Sequence, residues 1–147
     1  MKVTFESADV KETEVLIKGD ITSAEVEALL EFVKGYNAKE TKKLLLHRED
    51  EQYPISPSEV IYIEASNNRV EVVAVSGVYD SRKKLYELKE QLSGEPFAQI
   101  NKGTLVNIDF VKSVQAEFSG NYSLRLKQGK EILTISRKYF KEFKSKI

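Results

Sequence analysis

The chain has 147 residues, 31% of them charged and 41% hydrophobic, which suffices for one good core or for a main domain with a small appendage. It holds no cysteine, which excludes disulfides, thiol catalysis and cysteine metal sites. It has no apolar run of roughly 18 residues and no cationic, then apolar leader after Met1, so a cytoplasmic protein is expected. The formal net charge of zero is unevenly spread: residues 1–41 carry five Lys/Arg against nine Asp/Glu, and residues 42–147 carry eighteen against fourteen.

The acidic first 41 residues form a pattern of their own. Val3 to Phe5 and Glu14 to Lys18 alternate as short strands do, and Thr22-Ser-Ala-Glu25 has the form of a capping box opening a helix. Val26, Leu29, Leu30 and Val33 then make one apolar stripe, and Gly35-Tyr-Asn37 is the expected stop. A strand, strand, helix unit of this size cannot bury a core alone. It must pack on the rest of the chain or on the same unit of a second chain. The homodimer is preferred, because an acidic unit would otherwise cover the basic surface of the remainder.

From Lys42 the pattern is mainly β. Lys43–His47 and Gln52–Ile55 read as a hairpin around Arg48–Glu51, limited by Pro54 and Pro57. Val60–Ala65 and Arg69–Val78 read as a second hairpin, with Ser66-Asn-Asn68 as a turn where left-handed backbone is cheap. One amphipathic helix follows, Ser81–Leu92, capped by Ser81, with Leu85, Leu88 and Leu92 on its buried face. Arg82, Lys83 and Lys84 fall in its first turn, where cations oppose the helix dipole, so another use for their charge is implied. Val111–Phe118, Tyr122–Lys127 and Glu131–Ile135 read as three more strands. The last element, Ser136–Lys146, is expected to be helical, with Tyr139, Phe140 and Phe143 inward.

Two segments carry the functional chemistry. Gln99 to Asn107 places Gln99, Asn101, Lys102, Thr104 and Asn107 among core residues, and Asn, Gln and Lys are suited to base edges and phosphates. Ser136-Arg137-Lys138 joins a helix N-terminus to two cations, an arrangement that attracts phosphate. Between Asn121 and Ile147 there are eight cations against Glu131 and Glu142, which suits a polyanion. Enzymatic chemistry is not indicated. His47, the one histidine, ends a strand away from other ligand types, and there is no phosphate-binding glycine loop and no nucleophile elbow. No cofactor, metal or small-molecule substrate is expected.

Phe97, Asn101, Lys102, Gly103 and Val106-Asn107, followed by Ser136-Arg137-Lys138-Tyr139, resemble the hallmark of the LytTR family of bacterial DNA-binding domains. Glu59-Val-Ile-Tyr-Ile-Glu-Ala65 and the Ser81–Leu92 helix fit the same pattern, and the likeness runs from Lys42 to Ile147. Gly103 stands where the family usually has Ser, and Asn101 where many members have His. The resemblance implies an α+β, mainly β fold: an elongated antiparallel LytTR-type domain, residues 42–147, after a small N-terminal unit, residues 1–41. It also implies a transcription regulator without a receiver domain that inserts loops into successive major grooves of double-stranded DNA at paired promoter repeats.

By the same resemblance, Lys102 and Arg137 are the leading contacts. Asn68 and Arg69 belong to a further loop near the groove, and Asn101 either reads a base or holds its loop. Lys138, Lys141 and Lys144 supply diffuse phosphate attraction, whereas Asn107 is read as structural. Stand-alone members are controlled by abundance or by a sequestering partner protein, in some cases membrane-bound. The alternative is a protein-interaction module whose basic edge docks an acidic partner. RNA binding ranks third, since no exposed aromatic pair on a strand suits base stacking.

Overall fold

Four successive residues of one strand, Val60 to Ile63, are all buried, which requires cover on both faces of a sheet. The computed structural model, describing residues 1–38 and 42–147, shows how that cover is built. The boundary expected between residues 41 and 42 adjoins 39–41 and lies outside the described residues. The chain divides into two units, Met1–Glu40 and Thr41–Ile147.

In the first unit the described residues form one helix, α1 (Ala24–Ala38), and no strand. The strands expected at Val3–Phe5 and Glu14–Lys18 are absent: Val3, Phe5, Val15 and Leu16 are exposed, and alternation without a paired neighbour satisfies no backbone group. The helix is capped one residue later than expected. Val26 N–H donates to Ser23 Oγ at 3.3 Å, while Thr22 donates its N–H and hydroxyl to Asp20 Oδ1 at 3.0 and 2.6 Å. Those two donors, the hydroxyl first, hold the Asp20 carboxyl below its ordinary pKa. Gly35 does not stop α1, because an interior glycine costs only about 1 kcal/mol.

The second unit is built on a seven-stranded antiparallel sheet. Strands β1 (Leu44–Arg48) and β2 (Glu51–Ile55) pair around Glu49-Asp50, with Pro54 on the edge strand where a missing N–H is tolerated. Next come β3 (Val60–Ser66) and β4 (Arg69–Ala74), joined by Asn67 and Asn68 at φ of 51° and 63°. Two left-handed residues give the turn whose twist matches the strands. The expected Arg69–Val78 strand is in fact two, β4 and β5 (Gly77–Ser81), because Val75-Ser76 turns the chain and Gly77 takes φ 141°. After α2 (Leu85–Gln91) come β6 (Phe97–Asn101) and β7 (Thr104–Asn107), and the sheet order is β2-β1-β5-β4-β3-β7-β6.

A second antiparallel sheet, ordered β10-β9-β8, comprises β8 (Val111–Ala116), β9 (Tyr122–Leu126) and β10 (Ile132–Ile135), and the chain closes with α3 (Arg137–Ser145). One face of the large sheet buries Val60, Ile63, Val72, Phe97 and Leu105 against Leu88 and Leu92 at α2. The other buries Ile61, Ala98, Ile100 and Val106 against Leu124, Leu133, Ile135 and Phe143. A register shift between Val60 and Tyr62 explains why Val60 and Ile63, three apart, share a core. Lys89 ties the helices together through an ion pair with Glu142 at 3.0 Å.

Helix α2 begins later than expected. Its cap position is Lys84, whose N–H donates to the Glu87 carboxylate at 3.2 Å, whereas Ser81 ends β5 and accepts from Lys83 N–H. Arg82, Lys83 and Lys84 therefore precede the helix and do not fill its first turn, whose charged residue is Glu87.

Candidate nucleic-acid interface

The β6–β7 hairpin turns through Lys102 and Gly103, and its backbone is held on three sides. Gln99 Nε2 donates to the Lys102 carbonyl at 3.2 Å, and Lys89 Nζ donates to Gln99 Oε1 at 3.0 Å. Asn101 Oδ1 accepts from Gly103 N–H at 2.9 Å, and Asn101 Nδ2 donates to the Thr134 carbonyl of β10 at 2.8 Å. Ala65 N–H donates to the Gly103 carbonyl at 2.7 Å, and a Cβ on Gly103 would stand 2.8 Å from the Ala65 carbonyl oxygen. This turn must lack a side chain there to seat against β3, the physical reason for glycine where the family pattern has serine. Both polar atoms of Asn101 are thus engaged in holding the turn. Lys102 itself is exposed, and among the described residues no hydrogen bond or ion pair takes its ammonium.

The β3–β4 turn faces the same space. An open cleft of about 980 Å³ is lined by Asn67, Asn68, Arg69, Lys84, Lys89, Asn101 and Lys102, among others. Four of its lining residues are cationic against the carboxylate of Glu64. Lys89 is paired with Glu142 and Arg69 with Asp80, so among the described residues Lys84 and Lys102 are the lining cations without an ion pair, and they attract anions. Arg69 is partly committed: its Nη2 pairs with Asp80 Oδ1 at 3.0 Å, a contact that holds the guanidinium above its ordinary pKa. At that exposure the pair is weak enough to exchange for a phosphate.

Arg137, Lys138 and Lys141 lie apart from that cleft, on α3. Ser136 stands at the cap position without a side-chain cap bond, and its own N–H donates to the Ile100 carbonyl at 2.8 Å. The amides expected to be free there are partly taken, since Arg137 N–H donates to Asn121 Oδ1 at 3.2 Å and Tyr139 N–H to the Ser136 carbonyl at 2.9 Å. Arg137, Lys138 and Lys141 are exposed. The Ile100–Ser136 and Asn101–Thr134 bonds tie the start of α3 and β10 to the strand that carries Lys102.

Asn107 is wholly buried. Its Nδ2 donates to the Val60 carbonyl at 2.8 Å and its Oδ1 accepts from Asp109 N–H at 3.0 Å, which ties β7 to the start of β3. Asn107→Ala should therefore cost about 1–3 kcal/mol of stability by leaving the buried Val60 carbonyl unpaired. A urea midpoint equal to the parent's would show that these bonds contribute nothing net.

Sequence reasoning did not single out Lys89 or Asn121, which brace the two candidate elements. No local signal marks Asn121, because its partner lies sixteen residues on. His47 is half-buried on β1 opposite Gln52. No helix among the described residues is long and apolar enough to cross a membrane.

The family model described as the LytTr DNA-binding domain matches residues 50–147, two thirds of the chain. The chain belongs to the LytTR family of DNA-binding domains. It is 25% identical over 134 residues to the sensory transduction protein LytT of Bacillus anthracis, an alignment covering 91% of this chain and 50% of that one. It is 30% identical over 86 residues to the LytT protein of Oceanobacillus iheyensis, covering 58% of this chain and 35% of that one. The chain thus spans half or less of the length of these curated relatives. A solved LytTr DNA-binding domain from Bacillus cereus superposes with a TM-score of 0.67 at 21% identity, covering 73% of this chain and 97% of that one. That likeness concerns the fold.

Proposed function

We propose that this chain is a sequence-specific regulator of transcription that reads double-stranded DNA through the β6–β7 and β3–β4 turns and the start of α3, at paired repeats. The observation that carries the reading is the open cationic cleft where Lys102, its ammonium unengaged, meets Asn68 and Arg69. Braced hairpin turns can enter a major groove, and phosphate contacts from Lys138, Lys141 and Lys144 would set their register. Asn101 acts in this scheme by holding Lys102.

The test is fluorescence anisotropy with duplexes recovered by the chain from a randomised pool, against scrambled duplexes, at two salt concentrations. Binding to the recovered duplex should survive the higher salt. Equal, salt-labile binding to both would leave electrostatics alone and favour the interaction-module alternative. Lys144, exposed with its Nζ 6.0 Å from the Phe140 ring centre, should act through charge only. Lys144→Ala should weaken both duplexes alike, by about 0.3–1 kcal/mol, and a selective loss on the recovered duplex would assign it a base contact instead.

Paired repeats call for two protomers, and residues 1–41 are the proposed dimerisation unit. Leu30, Phe32 and Tyr36 are exposed on α1, which gives the helix apolar surface to offer a second copy. Sedimentation equilibrium should show a dimer at micromolar concentration, and a monomer would remove this part of the proposal.

A further inference from the structure

The turn between β8 and β9 makes no appearance in the family hallmark, yet it bears directly on Arg137. Asn121 Oδ1 accepts the Arg137 N–H at 3.2 Å. Gly120 takes φ +90°, and a Cβ built on it would lie 3.4 Å from Arg137 Nη1 and 3.5 Å from its Cδ. The arginine is therefore gripped at its backbone by Asn121 while its side chain lies along the glycine. Among the described residues nothing engages the guanidinium by hydrogen bond or ion pair.

The turn is itself fixed. Glu117 N–H donates to the Asn121 carbonyl at 2.9 Å, Gly120 N–H to the Glu117 carbonyl at 3.1 Å, and Asn121 N–H to Ser119 Oγ at 3.3 Å. The Glu117 carboxylate is occupied by the Ser123 hydroxyl at 2.7 Å, so the turn's own acid is engaged elsewhere. Fixing the backbone at the start of α3 in advance lowers the entropy lost when the arginine binds.

We infer that Asn121 and Gly120 form a positioning site for Arg137: the Asn121 hydrogen bond fixes the backbone from which the arginine departs, and Gly120, having no side chain, leaves room for the arginine beside the β8–β9 turn. This rests on the proposed DNA contact of Arg137. It adds residues that touch no base and yet set specificity.

The test is a double-mutant cycle on the full chain, read as the ratio of affinities for a recovered duplex and its scramble. Asn121→Ala should lower that ratio about five- to tenfold and leave affinity for the scramble unchanged, as expected for lost pre-organisation of one contact. On an Arg137→Ala background it should lower the ratio no further. Asn121→Asp keeps the accepting oxygen and should restore the ratio to within about twofold, although its added charge weakens both duplexes. Gly120→Ala strains the turn that carries Asn121, since Gly120 takes φ +90°, and should lower the same ratio, which keeps the inference testable if Asn121→Ala does not fold. If Arg137→Ala lowers the ratio and neither Asn121→Ala nor Gly120→Ala does, the positioning role is wrong while the DNA reading stands. If Asn121→Ala lowers the ratio equally on both backgrounds, its effect is general and the positioning role is again wrong. An unchanged ratio in Arg137→Ala itself would remove the reading of Arg137 on which the inference stands.

Discussion

Phe143→Ala should destabilise the second unit by about 3–5 kcal/mol, the range for truncating a fully buried phenylalanine. Phe143 is 1% exposed and sits among Ile61, Ala98, Ile100, Val106, Leu133 and Ile135, where α3, the large sheet and the small sheet meet. Its ring also packs 6.3 Å from Phe140, which stacks on Tyr122 of β9 at 3.7 Å between centroids. Removing it opens a cavity that three elements border, and none can collapse into it alone. Because whole domains are stable by only about 5–15 kcal/mol, urea unfolding should show a large fall in midpoint. Phe143→Leu keeps most of the volume and should cost less than about 2 kcal/mol. Equal midpoints for parent and Phe143→Ala would mean that α3 does not pack as described. Since α3 also carries Arg137, Lys138 and Lys141, the alanine variant should lose DNA binding together with its fold.

Much of the second unit was legible because its signals are local. Asn67 and Asn68 tolerate left-handed backbone, and the Val- and Ile-rich runs on either side pair across them. The aromatic spacing of Tyr139, Phe140 and Phe143 likewise marks the inward side of α3. The failures have equally local causes. Arg69 to Val78 reads as unbroken β, and the Val75-Ser76 turn disappears inside it unless Ser76-Gly77 is given more weight than the valines around it. At α2 a serine that looked like a cap closes its own small turn instead, and the helix starts after three cations. In the first unit alternation suggested strands, but a strand is defined by its partner, and none of the described residues supplies one.

The candidate site divides along the same line. Residue types in the segments around Lys102 and Arg137 were visible in the sequence. What holds them was not, because Asn101 bonds to Thr134, Lys89 to Gln99 and Asn121 to Arg137 across separations that only the folded sheets close. Asn107 was legible as structural because it stands among core residues, and its bonds to the Val60 carbonyl and the Asp109 N–H agree with that reading.

Lys102→Ala and Arg137→Ala should each cost about 1–3 kcal/mol of binding to a recovered duplex, and the double variant about 2–6 kcal/mol. The two cations sit on different elements, with Lys102 at the β6–β7 turn and Arg137 at the start of α3, and they share no side-chain partner. Their losses should therefore add within about 0.5 kcal/mol. On scrambled DNA the double variant should lose only the charge contribution, and its log–log salt slope should fall by about 0.9 for each phosphate no longer neutralised. The measurement is anisotropy at several salt concentrations on both duplexes. Strict additivity would mean that each cation reads its own part of the site on a scaffold that does not yield. A double variant no worse than the weaker single would mean that the bonds through Asn101 and Ser136 make the two elements one unit, so that losing either contact already releases the other. Equal losses on both duplexes would assign Lys102 and Arg137 to the phosphates and leave the reading of bases to the residues that remain in the cleft.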